Sequence, residues 1–353
     1  MALASALSGA TARTLRAGQK RPELPDATPR KLPYWRGFNL PVAYRGGRGQ
    51  LFDERDFTDV ADLGFNFLRL ALNYRDWTAP DDPKRLREPV LKEIDRAVEQ
   101  GKQHGIHLLL DFHIAPGFGQ IFPPERTNLW TESGPAGLCA YQWSVFAERY
   151  KGVPNSRLSF NLFNEPDDKV KPEDFRRVTQ QLVSAIRAKD PDRLIIVDGR
   201  NWARTPITEL LGLNVAADIH SYDPIPLTHY KATWVNWNES WPKPTWPLKD
   251  WNGKIVDRET IRRTLFAPWQ ELEKKGVGMF VGEWGVHQHT PHKVALAWMC
   301  DMLGLYKQAG WGWALWNFVG SFGVCDSGRA DVKYETWHGR KLDRAMLEVL
   351  QAF

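Results

Sequence analysis

Two glutamates stand where apolar runs stop. Glu165 lies in Asn164-Glu165-Pro166, at the end of a run that begins at Arg157. Glu283 lies in Gly282-Glu283-Trp284-Gly285, at the end of a run that begins at Met279. A glutamate closing an apolar stretch is rarely buried unless it is paired or used. Either one alone also has a reading as a solvated turn residue. The pair suggests one chemistry: if the two carboxyls face each other across a cleft, one stays protonated and gives its proton to a leaving oxygen. The other stays ionised and attacks carbon, which is what cleavage of a glycosidic bond requires.

Three other apolar runs also end on polar or aromatic groups, Asp111-Phe112-His113, His220-Ser221-Tyr222 and Trp316-Asn317, and a fourth carries Arg69. Each has an ordinary structural reading when taken singly: an interior arginine pairs an acid, a strand histidine is a satisfied core residue, a tryptophan packs. Asp111 and His113 fall on one face of a strand by alternation and are placed to pair with each other.

The elements that carry these residues alternate. Eight β-rich runs span 34–40, 65–72, 107–113, 157–165, 194–199, 217–222, 279–285 and 312–318. Helical patterns follow at 53–63, 84–104, 136–151, 172–190, 258–275 and 292–308, with a shorter one after Thr205 and a last one over 340–353. This alternation predicts a single-domain α/β fold, a (β/α)8 TIM barrel over residues 33–353, preceded by an extended arm at 1–32. A doubly wound open sheet is the alternative, but no Gly-rich phosphate fingerprint follows an early strand. In a barrel the chemistry sits at the C-terminal strand ends, and strands four and seven lie on roughly opposite sides of that mouth.

With these motifs in this order the chain resembles glycoside hydrolase family 5, cellulase-like (β/α)8 enzymes, from about Trp35 to the C-terminus. The family pattern matches Arg69, His113, Asn164 with Glu165, His220 and Tyr222, Glu283 and Trp316. The resemblance implies that Glu165 is the acid/base and Glu283 the nucleophile. It also implies retention of anomeric configuration, with carboxyl groups about 5–5.5 Å apart. Physical argument then gives the supporting roles: Arg69 and Tyr222 steady an ionised Glu283, and Asn164 meets a sugar 2-hydroxyl. His113 and His220 bind hydroxyls or tune Glu165, and Trp316 forms a floor under the sugar. The expected substrate is a β-linked oligo- or polysaccharide, with an endo-acting β-1,4-glucanase leading; mannan-directed and exo-acting specificities stay open. The reaction calls for no cofactor and no metal. A barrel that binds carbohydrate without cleaving it is the rival of another class.

Other features compete for the ligand. His287, His289 and His292 lie within six residues, but Pro291 breaks the stretch and no carboxylate–histidine spacing surrounds them, so a polar loop is expected, with His287 touching substrate. The loop after strand six, 223–257, is long and holds Trp234, Trp237, Trp241, Trp246 and Trp251. It divides between a wall along the cleft, with Trp234 and Trp237 facing sugar, and a self-packed excursion. Trp284 and Asp326 are further candidate sugar contacts.

Composition bounds the rest. The 17 Trp among 353 residues suit a flat ligand bound by stacking. The formal charge of +5 is local: residues 1–50 hold nine Lys or Arg against two acids, so the remaining chain is slightly acidic. A nucleic-acid partner is therefore not expected. No run of 18 apolar residues suggests membrane insertion, and a monomer is expected. Three cysteines either form one bridge or stay thiols. The small apolar start, 1–10, reads as the remnant of an export signal or as a frayed terminus, and a secreted or periplasmic location is expected.

Overall fold

A computed structural model describes residues 23–42, 51–235, 240–250 and 252–353. Eight strands form a closed barrel: β1 Arg36–Leu40, β2 Phe67–Asn73, β3 His107–Ile114, β4 Leu158–Asn161, β5 Ile195–Asp198, β6 Ala216–His220, β7 Met279–Trp284 and β8 Gly312–Leu315. Each pairs in parallel with its sequence neighbours, and β1 closes on β8 through Arg36 opposite Trp313. All eight lie within or beside the runs expected from sequence.

The outer ring is built from α1 Glu54–Asp62, α2 Glu88–His104, α3 Ser133–Arg149, α4 Pro172–Arg187, α5 (Arg258–Ile261, a π turn Arg262–Phe266, then Ala267–Glu273), α6 His292–Ala309 and α7 Arg344–Gln351. Three expectations need correction. The pattern at 84–104 is helical only from Glu88, because Asp82–Leu86 pairs with Thr78–Ala79 as a hairpin. After Thr205 there is only the 3-10 turn Thr208–Leu210, because seven residues ending at Gly212, in a left-handed conformation, are too few to nucleate an α-helix. The last helical pattern begins four residues late: Arg340–Leu342 pairs with Glu335–Trp337 as a hairpin, and Asp343 caps α7 by accepting the Met346 N–H. No helix of the described residues is long and apolar enough to cross a membrane. Cys139, Cys300 and Cys325 are free thiols.

Strand alternation layers the barrel interior. Its lower layer is apolar: Phe67, Leu109, Ile196, Ala216, Phe280 and Ala314 form one cluster with Trp35. Ala27 and Leu32 join it from below, and the Gly278 N–H is donated to Pro29 O, so residues 27–32 close the bottom. Two residues further along the strands the interior turns polar, with Asn39, Arg69, Asp111, Asn161, Asp198 and Asp218, all buried. The residues between them, such as Leu110, Val197 and Ala217, join the separate cluster under the helices. The mouth of the barrel is the next layer up.

Candidate active site

Arg69 occupies the centre of the polar layer. Its guanidinium donates to Glu283 Oε1 at 2.6 Å, Asn39 Oδ1 at 3.1 Å, Asn161 Oδ1 at 3.0 Å and Asn164 Oδ1 at 2.8 Å. Asp111 Oδ2 lies 3.1 Å from Nη2 and Asp198 Oδ2 3.7 Å. A planar fork with five donors suits a buried hub of this kind, whereas a lysine ammonium does not.

Glu283 reaches the mouth through an irregularity in β7. Phe280 faces inward, so regular alternation would send Gly282 inward and Glu283 out. The register against β6 instead slips between Val281 and Glu283, and Glu283 pairs with His220. A one-residue bulge flips the faces beyond it. The Gly282 peptide is pinned on both sides: its N–H is donated to Asp218 Oδ1 at 2.5 Å, and its carbonyl accepts Asn39 Nδ2 at 2.8 Å. A β-carbon at Gly282 would lie 2.0 Å from Asp218 Oδ2, so only glycine fits. Tyr222 then donates its hydroxyl to Glu283 Oε2 at 2.9 Å.

Glu165 is presented by a different device. Regular β4 ends at Asn161, and Glu165 sits at φ +49°, in the left-handed region. Its N–H is held by Asp198 Oδ2 of the next strand at 2.9 Å. Its Oε1 lies 2.7 Å from His220 Nδ1. Carboxylate oxygens of Glu165 and Glu283 lie within 4.8 Å of each other.

Burial raises Glu165 and Glu283 above the ordinary glutamate range; His220 and Arg69 pull Glu283 back, and His113 and Arg69 do the same for Glu165. Burial also pushes Asp111 up to about 7 against the pull of Arg69, and raises Asp198 and Asp218. It lowers His113 to about 4 and lowers His220, with nearby carboxylates opposing. Several acids around one arginine can therefore coexist, because not all of them ionise together.

The remaining expected residues divide into two groups. His113 Nδ1 lies 2.8 Å from Asp111 Oδ2, and its ring stacks on half-buried Trp316 at 5.3 Å between centroids. Asn164 spends its carbonyl on Arg69, so its amide N–H groups are what it can offer a ligand. Trp234 is 56 % exposed, edge-on to His287 and His229 and tilted against Phe322, which in turn meets Tyr222. His287 is buried behind it, with Nδ1 on Tyr230 O at 3.1 Å, and burial lowers it to about 4. It braces the wall.

Two candidates fall elsewhere, and a third is not described. Trp284 is fully buried against Trp298, Tyr306 and Trp313 under the helices; with Glu283 facing in, its neighbour faces out, so Trp284 is core and not a sugar contact. Asp326 Oδ1 accepts the Lys341 N–H, which ties the strand-eight loop to the C-terminal hairpin. Trp237 lies outside the described residues, as does Trp251, while Trp246 donates to Asp301 and packs on the core.

Two sets of side chains have ligand atoms within metal-binding reach of one another: Glu165, His220 and Glu283, and Asp198, Asp218 and His220. Arg69 already supplies the positive charge between them, which disfavours a second cation there. His287, His289 and His292 form no such set among the described residues, since His292 turns away to Asp343.

Sequence reading passed over Asn39, Asn161, Asp198 and Asp218, and also Trp202. The four polar groups were legible as inward positions two residues above an apolar layer. Trp202 is 39 % exposed, at φ +54°, and donates its N–H to Pro166 O at 2.9 Å, beside Glu165.

A (β/α)8 barrel with two glutamates facing each other from the fourth and seventh strand ends is the layout of a glycoside hydrolase. The cellulase model, glycosyl hydrolase family 5, matches residues 29–321, and the chain belongs to that family. It is 26% identical over 291 residues to Endoglucanase C of Acetivibrio thermocellus, covering 75% of this chain and 83% of that protein. Cellodextrinase A of Ruminococcus flavefaciens is 23% identical, over 69% of this chain and 72% of that one. Among solved structures, one described as a glycoside hydrolase superposes with a TM-score of 0.85 at 37% identity, covering 90% of this chain and 98% of that one. Cel5A of Thermotoga maritima, in complex with mannotriose, superposes with a TM-score of 0.74 at 20% identity, over 90% and 97%.

Proposed function

We propose that the protein is an endo-acting β-1,4-glucanase that works by double displacement with retention. Glu165 gives its proton to the glycosidic oxygen as the bond from that oxygen to the anomeric carbon breaks, its electron pair staying on oxygen. Glu283 forms the new bond to that carbon. Glu165, now a carboxylate, takes a proton from water, whose oxygen displaces Glu283 and releases the sugar. The observation that carries this reading is the spacing: carboxylate oxygens within 4.8 Å match the close pair of a retaining enzyme rather than the wider separation, about 6.5–9.5 Å, of an inverting one. Arg69 and Tyr222 favour the ionised nucleophile, whereas Glu165 meets His220 and, among the described residues, accepts no hydrogen bond from an arginine or lysine, which favours its protonated form.

The choice of glucan is supported by the endoglucanases among the relatives. The mannotriose complex of the Thermotoga enzyme makes mannan the comparison substrate. Trp316 beneath the reacting sugar and Trp202 beside Glu165 are the stacking surfaces of this reading. Polymeric β-glucan lies outside cells, which supports a secreted or periplasmic enzyme.

The test is hydrolysis of defined cello- and manno-oligosaccharides, with the anomer of the first product read by NMR. Internal cleavage of cello-oligosaccharides to the β-anomer is expected. An α-anomer first product overturns the mechanism, and preferential cleavage of manno-oligosaccharides overturns the substrate. In Glu283→Ala hydrolysis should vanish while the melting transition and oligosaccharide binding persist.

A further inference from the structure

We infer that Asp198 is a positioning residue for the acid/base carboxyl, because one buried oxygen holds both the main chain and, through His220, the side chain of Glu165. This rests on the reading of Glu165 as the acid. Asp198 Oδ2 accepts the Glu165 N–H at 2.9 Å. The same oxygen lies 3.4 Å from His220 Nε2, an electrostatic contact to a buried nitrogen that makes no hydrogen bond among the described residues, and His220 Nδ1 lies 2.7 Å from Glu165 Oε1. Asp198 Oδ1 is itself fixed by Asn161 Nδ2 at 2.7 Å.

Each contact has a physical consequence. A glutamate at φ +49° is in a sparsely populated conformation that persists only if its surroundings hold it. The Asp198 bond to its N–H is that hold. In a neutral imidazole one nitrogen is a donor and the other an acceptor. The Asp198 carboxyl beside Nε2 biases which ring nitrogen carries the proton, and so what Nδ1 offers to Glu165 and the ease of moving a proton off that carboxyl. The other charged or titratable groups around Asp198 are Arg69 from β2, at 3.7 Å, Asp218 from β6, within 4.8 Å, and Asp111 and His113 from β3, with which it interacts electrostatically. Asp198 touches neither the mouth nor Glu283 directly; it is fully buried and acts through Glu165 and His220.

Leaving-group dependence tests the role. Dinitrophenolate departs without a proton, whereas a sugar needs one, so a defect in acid catalysis appears only with the sugar. For the wild type, Glu165→Ala, Asp198→Ala and Asp198→Asn, kcat/KM is measured on dinitrophenyl β-cellobioside and on cello-oligosaccharide. Acid catalysis is worth about 10²–10⁴-fold, so Glu165→Ala should lose that much on the oligosaccharide and little on the aryl substrate. Asp198→Ala should show the same split at smaller size, roughly tenfold or more against less than about threefold. If Asp198→Ala melts below the assay temperature, the near-isosteric Asp198→Asn carries the comparison. Equal losses on both substrates in the Asp198 variants, alongside a split in Glu165→Ala, overturn this inference alone. No split in Glu165→Ala removes the assignment of Glu165 and the inference with it.

Discussion

Arg69 and Glu283, 214 residues apart in sequence, are joined by a 2.6 Å hydrogen bond inside the barrel. That bond makes the nucleophile's charge and position depend on a residue of the second strand. Arg69→Lys keeps the charge but cannot serve Glu283, Asn39, Asn161 and Asn164 together. Each lost bond to a charged group is worth about 1.5–3 kcal/mol, so kcat should fall at least roughly tenfold and the melting temperature should drop. Steady-state kinetics and calorimetry on the one variant check both.

Gly282→Ala tests the bulge. A β-carbon there meets Asp218 Oδ2 at 2.0 Å, and overpacking of a rigid interior costs about 1–3 kcal/mol. The strand must shift, and Glu283 with it. Chemical denaturation should show the loss of stability, and turnover should fall further than the loss of folded protein explains.

Activity should rise and fall with pH. Glu283 has to be ionised and Glu165 protonated, and burial raises both above the ordinary value of 4.5, so both limbs lie on the alkaline side of it. Tyr222 donates to Glu283, which favours the ionised form. Tyr222→Phe should therefore move the acidic limb upward and leave the alkaline limb in place. A kcat/KM profile against pH reads this directly.

Stability should decline from acid toward neutral pH through Asp111. Its folded value of about 7 lies above its ordinary 3.8, so the folded state holds a proton that the unfolded chain releases. The resulting stabilisation is full below 3.8 and is lost as pH rises through about 7. Asp111→Asn, neutral throughout, should show a shallower decline in melting temperature over that window.

Trp202 and Trp234 are exposed aromatics on different loops of the mouth. Stacking of this kind is worth about 0.5–1.5 kcal/mol. Trp202→Ala should raise KM for oligosaccharides roughly two- to tenfold, and Trp234→Ala should change the distribution of products; neither should shift the melting temperature by more than a degree or two. Chromatography of products from a single oligosaccharide distinguishes the two.

Much of the site was legible because strand alternation is local. His113 two residues after Asp111, and His220 two after Asp218, follow from a period of two. The strand-six loop was legible only as tryptophan-rich: Trp246 turned inward to Asp301 while Trp234 stayed out, a division set by what each ring meets and not by its neighbours in sequence. Trp284 was misread because the bulge that turns Glu283 inward also turns Trp284 outward.

The sequence by itself determined the eight strands, their order and the polar groups at their ends, since these follow from chain geometry and side-chain chemistry over a few residues. Only the tertiary structure decided that Arg69 also gathers Asn39, Asn161 and Asn164, that Asp198 of the fifth strand holds the backbone of Glu165, and that Gly282 yields its space to Asp218. Those relationships require the barrel to close in one register. They join residues whose separation along the chain leaves no local trace.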